Sequence, residues 1–267
     1  MKGLASILGI LVLSGGVTLA GPLELSFGGG LGAVSLTSFN GIIDSWNGVL
    51  DELNEYSLVD PEVSGSVRNL AKLSTGLTFQ AAEWYWILDW LALGARFEYE
   101  TATTATSGAY VGGETSVVNI SLEYQTIGIL AAARVAILDI GVRLSADVGL
   151  GYYRGTLDHA VIFQVPSEYP KALSGIPPEG SDRHAGGTVG FAAQLALDVP
   201  VMSGFRLGAA VGYRTAMIGT LTNEAGAALD LDGDEILDEA NVSAISVRLA
   251  ISLDIDLSLD GEKEQEL

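Results

Sequence analysis

"VRLSADVGLGYYRG", residues 142–155, alternates apolar and polar side chains almost without a slip. Val142, Leu144, Val148, Leu150 and Tyr152 share one parity, while Arg143 and Asp147 fall on the other. Period two over this length marks a β-strand with two unlike faces. Which face meets water decides the fold. A soluble sandwich turns its apolar face inward and shows water a densely charged one, yet here the polar parity is otherwise Ser, Gly and Tyr. Small residues fit a narrow closed interior.

The same pattern recurs and gives eight candidate strands, near 22–36, 69–83, 89–103, 116–137, 139–164, 185–199, 204–219 and 246–257. In the last, Val247, Leu249, Ile251, Leu253, Ile255 and Leu257 oppose Ser246, Arg248, Ser252, Asp254 and Asp256. The fourth starts with Val118, Ile120, Leu122 and Tyr124 on one face and then changes parity near Gln125 to Ile127, Ile129, Val135 and Ile137, which predicts a bulge there. Arg96, Glu98, Arg134, Arg143, Asp147, Asp198, Arg206, Arg214, Arg248 and Asp254 all fall on the polar parity, and the apolar face reads as free of charge within the spans. Both signs are thus available to pair as a lumen charge network, with lipid outside a polar, packed interior.

Links between strands make a separate argument. Short ones ("EWYWIL", "LD" at 138–139, "PVMS" at 200–203) alternate with longer ones through 37–68, 104–115, 165–183 and 221–240. Tight turns at one end and long loops at the other are the plan of a bacterial outer-membrane barrel. Trp84, Tyr85, Trp86 and Trp90 gather at one end, and Tyr99, Tyr124, Tyr152 and Tyr153 toward the other, as two aromatic girdles.

Composition narrows the classes. Of 267 residues 48% are hydrophobic, yet 33 acids face 13 bases for a formal charge of -20, which excludes nucleic acid as a partner. Residues 1–20, with Lys2, an apolar stretch from Leu4 to Leu13 and small residues ending at Ala20, read as a secretory signal peptide. Residues 21–259 are then the barrel and 260–267 an acidic tail. There is no cysteine, so neither a disulfide framework nor a lipid-modified cysteine is available. "TIGILAAARVAILDIGV" (126–142), the most helix-like apolar run, is broken by Arg134 and Asp139.

Taken together the chain resembles the small eight-stranded outer-membrane barrel proteins of bacteria, by pattern and not by a signature motif. It departs from them in continuing past Leu259 into "DGEKEQEL" instead of closing on an aromatic residue. The fold class is an all-β, transmembrane, antiparallel up-and-down barrel of eight strands with one amphipathic helix in the first long loop. An eight-stranded lumen is filled by side chains, too full for a general porin.

Three segments are candidates for function. Residues 38–57, "SFNGIIDSWNGVLDELNEYS", place Ile42, Ile43, Trp46, Val49, Leu50 and Leu53 on one helical face, as a cap on the barrel mouth or a gate over a small apolar ligand. In "DLDGDEILDE" Asp230, Asp232, Asp234 and Asp238 take the first, third, fifth and ninth places of a calcium-loop spacing. Glu235 stands where that loop needs Gly and Asn241 where it needs Glu, so the cation site is a weak one. His159 and His184 flank one loop, with Ser181 and Asp182 near, and some small outer-membrane barrels are lipid-modifying enzymes with His and Ser at the rim. No nucleophile motif accompanies them. The expectation is a non-enzymatic barrel of the outer membrane, in contact with its lipid, with a structural or surface-interaction role toward polymers, cations or envelope proteins. A carrier of a small apolar molecule gated by the 38–57 helix is the alternative, and a rim-located lipid-modifying enzyme the third.

Overall fold

The computed structural model describes residues 22–171, 173, 175–231 and 239–255. The expected signal peptide and the 260–267 tail lie outside them. Along the chain run β1 (Leu23–Ser35), helix α1 (Thr37–Val59), β2 (Ser64–Ser66), β3 (Thr75–Leu88), β4 (Leu91–Val111), β5 (Thr115–Asp139), β6 (Arg143–Phe163), β7 (Gly180–Met202), β8 (Phe205–Thr220) and β9 (Glu239–Ile255). All strand pairs are antiparallel, and β9 returns to β1 in unbroken register from Leu23↔Ile255 to Ser35↔Ser243. Eight strands therefore form a closed ring with no free edge, the condition for a sheet to span a membrane. The three-residue β2 lies outside the ring, on the part of β4 that β3 does not reach.

One end of the ring carries the tight turns 89–90, 140–142 and 203–204. The other carries the connections 36–74, 112–114, 164–179 and 221–238. The second of these is much shorter than the 104–115 loop expected from sequence. Its residues continue the hairpin, because β4 and β5 pair without interruption up to Val111↔Thr115. The result is a lopsided wall: β4 to β7 have 21 to 25 residues, but β1 and β3 only 13 and 14.

The expected bulge near Gln125 is absent. β5 keeps register with β4 from Thr115 to Val135, and its even positions face inward all along, from Val118 to Arg134. What changes at Gln125 is the surroundings. Toward the loop end the interior is apolar and the outside polar, with Asn119, Ser121 and Glu123 facing out. Toward the turn end the interior is polar, and Ile127, Ile129 and Val135 are exposed on the outside. Apolar side chains change faces because the apolar medium does.

The exterior of the turn-end half is a belt of aliphatic residues. Leu249 is 75% exposed, Val189 65% and Leu150 61%, an arrangement that water would penalise and a hydrocarbon solvent does not. No helix among the described residues is long and apolar enough to cross a membrane. Two further expectations need correction. Trp84, Trp86, Tyr124 and Tyr153 are buried inside the barrel, leaving Tyr85, Trp90, Tyr99 and Tyr152 for the outer surface. The outer face also carries a charge within the belt: Glu83 of β3 lies on the outward parity, between Leu25 of β1 and Ala95 of β4.

Candidate functional site

The lumen is filled in two tiers. Nearest the turns, Glu24 of β1 accepts from Arg134 at 2.6 Å, Arg143 at 2.8 Å and the Trp86 indole N–H at 3.2 Å. Arg134 also reaches Asp147 at 3.1 Å, whose other oxygen takes Arg96 at 2.5 Å. Arg96 lies 3.1 Å from Glu98, which accepts the Tyr153 hydroxyl at 2.8 Å. Higher up, Arg214 meets Glu100 at 2.5 Å, Arg248 donates to Gln194, and at the turn end Arg206 pairs with Asp254 at 3.1 Å. The Arg134 and Arg143 guanidinium groups lie 4.2 and 4.5 Å over the rings of Trp84 and Trp86. Ions of alternating sign thus thread across the lumen, so Glu24, Glu98, Glu100 and Asp147, taken out of water, each meet charge-assisted donors.

Among the residues named from sequence, Arg96, Glu98, Arg134, Asp147, Asp198, Arg214 and Arg248 are buried in this interior. Arg143, Arg206 and Asp254 line its turn end, partly exposed. Asp198 stands opposite Arg143 in register but makes no ion pair among the described residues. Glu24, Glu100 and Gln194 complete the network and were not singled out, although each lies on the polar parity of its strand. Two cavities of ≈10 and ≈20 Å³ open between these side chains, each space for about one water molecule.

Tyr153 divides the tiers. A Cβ on Gly128 would stand 2.4 Å from its ring, and one on Gly190 2.5 Å, so the ring lies flat across glycines on both neighbouring strands. Above it the interior is apolar. Phe39, Ile43, Trp46, Leu50 and Leu53 of α1 are buried against Ile120 and Leu122 of β5, Leu157 and Val161 of β6, and Leu221 and Leu229 beyond β8.

A ladder sequence reading missed holds the helix in place. Asn40, Asn47 and Asn54 each pair an entire side-chain amide with one backbone residue of the extended segment before β3. The Nδ2 groups donate to the carbonyls of Leu73, Leu70 and Val67 at 3.3, 3.0 and 2.8 Å. The N–H groups of the same three residues donate back to Oδ1 at 2.8, 2.7 and 2.9 Å. Seven helical residues rise about 10.5 Å and three extended ones about 10 Å, so the rungs stay in step. Val67, Leu70 and Leu73 are buried by the same threefold spacing. Leu73 shares the parity of the outward β3 residues Leu77 and Phe79, and the strand expected near 69–83 would set it outward with them, but it lies before β3 and is buried under the helix. From the other side, Tyr169 donates to Glu52 at 2.6 Å, and the Tyr56 hydroxyl contacts Asp60 and the Glu168 carbonyl.

At the rim His159 and His184 stack with ring centroids 5.6 Å apart. Burial pushes both imidazoles below the usual histidine pKa, and Asp182 only partly offsets it. A cavity of ≈330 Å³ beside them is lined by Glu179, Asp182 and Asp230 among others. No three His, Cys, Asp or Glu side chains among the described residues are placed to share a metal ion. Asp232, Asp234 and Asp238 of the calcium-like spacing lie outside the described residues.

No family model matches the sequence, and no curated protein is similar to it. Its similarities are to solved structures of outer-membrane barrels. They include Ail, the attachment invasion locus protein of Yersinia pestis, in complex with the heparin analogue sucrose octasulfate (13% identity, 89% of this chain and 100% of that chain, TM-score 0.45). Neisserial surface protein A is 10% identical over 88% of this chain and 99% of its own, with a TM-score of 0.43. The outer membrane protease OmpT of Escherichia coli is 7% identical over 88% and 96%, with a TM-score of 0.40.

Proposed function

We propose that this chain is a sealed outer-membrane β-barrel, non-enzymatic, whose work is done at its loop end. One observation carries the reading: the ionic tier and the helix tier fill the lumen in series. A conduit for solutes needs an open path, and here a buried charge network underlies an apolar plug clamped by three amide rungs. The short turns then face the periplasm and α1 with its flanking loops faces outward. Exposed there are polar strand faces, the acidic side of α1 and the loops at 164–179 and 221–231, a surface suited to cations, surface polymers or other envelope proteins. The carrier reading requires α1 to leave its seat, against the ladder.

Refolding into planar bilayers tests this. The intact barrel is expected to show a band that shifts on boiling and no steady conductance. Deleting residues 38–57 is expected to leave conductance low, since the ionic tier remains. Steady ion flow through the intact barrel, or uptake of an apolar solute lost on that deletion, sinks the sealed reading.

A further inference from the structure

We propose that the Glu83 carboxylate holds the ammonium group of an amine-bearing phospholipid against the lipid-facing wall of the barrel. The proposal rests on the membrane-spanning reading above. Glu83 stands on the outward parity of β3, two residues from Tyr85 and four from Ile87 toward the turn end. On the outward face from the turns up to Tyr152, one step short of the outward Arg154 of β6, the other described positions within the strands' apolar belt are apolar, Gly, Thr or Tyr, so Glu83 is the one acidic or basic side chain there. Among the described residues its carboxylate forms no hydrogen bond or ion pair. Its cross-strand neighbours are Leu25 and Ala95, and the buried Ala81 precedes it on the same face, so Glu83 stands half-buried on the lipid side of the wall.

A carboxylate facing hydrocarbon needs a counter-charge or several donors. The described residues supply none at that place: Arg96, Arg134 and Arg143 point to the opposite side of the wall, into the lumen, and the outward Arg154 of β6 stands toward the loop end, opposite Ile127 and Gly187. The donor must come from the membrane. Tyr85 and the exposed Trp90 mark the depth at which headgroups begin, and two strand residues from Tyr85 correspond to roughly 5 Å of depth, within reach of a glutamate side chain. A primary ammonium offers three N–H donors, enough for Glu83 and for the phosphate of its own lipid. A second copy of the chain fits less well. Across a two-fold axis normal to the membrane it would bring another Glu83 to the same depth, carboxylate against carboxylate, between molecules that each carry a charge of -20.

The experiment is native mass spectrometry of the full barrel, inserted into vesicles of equimolar phosphatidylethanolamine and phosphatidylcholine and released with mild detergent. The expected result is one retained phosphatidylethanolamine, enriched several-fold over phosphatidylcholine, with the enrichment lost in both Glu83→Gln and Glu83→Leu while the band shift on boiling persists. An inserted barrel with no headgroup preference, or one whose preference survives both substitutions, overturns the lipid site alone. A dimer mass that disappears with Glu83→Gln assigns the position to a second copy and overturns it too. A chain that enters neither lipid overturns the membrane reading, and this proposal with it.

Discussion

Both ends of the Asn47 side-chain amide are engaged by the backbone of a single residue, Leu70, its Oδ1 accepting the N–H at 2.7 Å and its Nδ2 donating to the carbonyl at 3.0 Å. It is the middle rung of three, and it stitches a helix to a strap that has no regular hydrogen bonding of its own. Asn47→Ala leaves two partly buried backbone groups without partners, at a cost of about 2 kcal/mol. Protease cleavage of residues 60–74 should accelerate, and Asn40→Ala combined with Asn47→Ala should exceed the sum of the two. Additive effects in urea titrations would mean the rungs act independently.

Asp147 joins Arg96 and Arg134, so Asp147→Asn removes the charge that both guanidinium groups share. Breaking one member of a buried ion network costs on the order of 3–5 kcal/mol. The unfolding midpoint in detergent should drop accordingly, whereas Asp139→Asn at the exposed edge, paired with Arg143 at 2.9 Å, should change it by less than about 1 kcal/mol. Equal losses at the two sites would show that burial does not set the strength of the network.

Tyr153 fits between Gly128 and Gly190 with no room for a methyl group on either. Gly190→Ala also drives its Cβ to 2.7 Å from the Thr215 carbonyl, a backbone atom that cannot yield. It should destabilise the barrel by about 1–3 kcal/mol, with Gly128→Ala less severe because the Tyr153 ring alone opposes it. Replacing Tyr153 by Val should relieve Gly128→Ala and leave most of the Gly190→Ala defect, as read from thermal midpoints.

The histidine pair makes the rim sensitive to acid. Burial lowers both pKa values in the folded state, so on acidification the unfolded rim takes up protons before the folded one does. Stability contributed here is intact above the unfolded histidine value near 6.5 and declines as pH falls from there toward the lowered folded values. Protection factors against hydrogen exchange at residues 157–163 and 180–186, with the intrinsic pH dependence of exchange divided out, should fall between pH 7.5 and 5. His159→Phe with His184→Phe should flatten that profile, and a slope unchanged in the double variant would place the acid response elsewhere.

Strand placement was legible because period two survives any solvent arrangement. What a strand's parity does not reveal is which medium lies on each side at each height. The run from Val118 to Ile137 therefore looked like two strands' worth of faces joined by a bulge, when the chain is regular and the media exchange places. The aromatics near residue 85 misled for a related reason: clustering suggested a girdle, but parity sends Trp84 and Trp86 inward to the arginines. Glu83, adjacent to them, has the parity of lipid and was passed over as a strand end. Network members such as Glu24 were visible as polar-face residues, but their partners come from strands more than a hundred residues away. The Asn ladder has a sequence trace in the heptad spacing 40, 47, 54, yet its partner strap contributes only backbone and carries no matching signature.

Six arginines and six carboxylates balance inside the barrel, from Glu24 to Asp254, which confines the excess acid of the chain to its water-facing parts. Six of its 13 basic residues are thereby turned into the lumen. A neighbour in the plane of the bilayer meets a cylinder whose one outward acid at the depth of the hydrocarbon is Glu83, and a strongly anionic crown above it. Copies of the protein should then keep apart in the membrane by electrostatic pressure between their crowns. That pressure reaches about 10 Å at 0.1 M salt and grows as salt is removed, so ionic strength sets how densely the molecules can crowd.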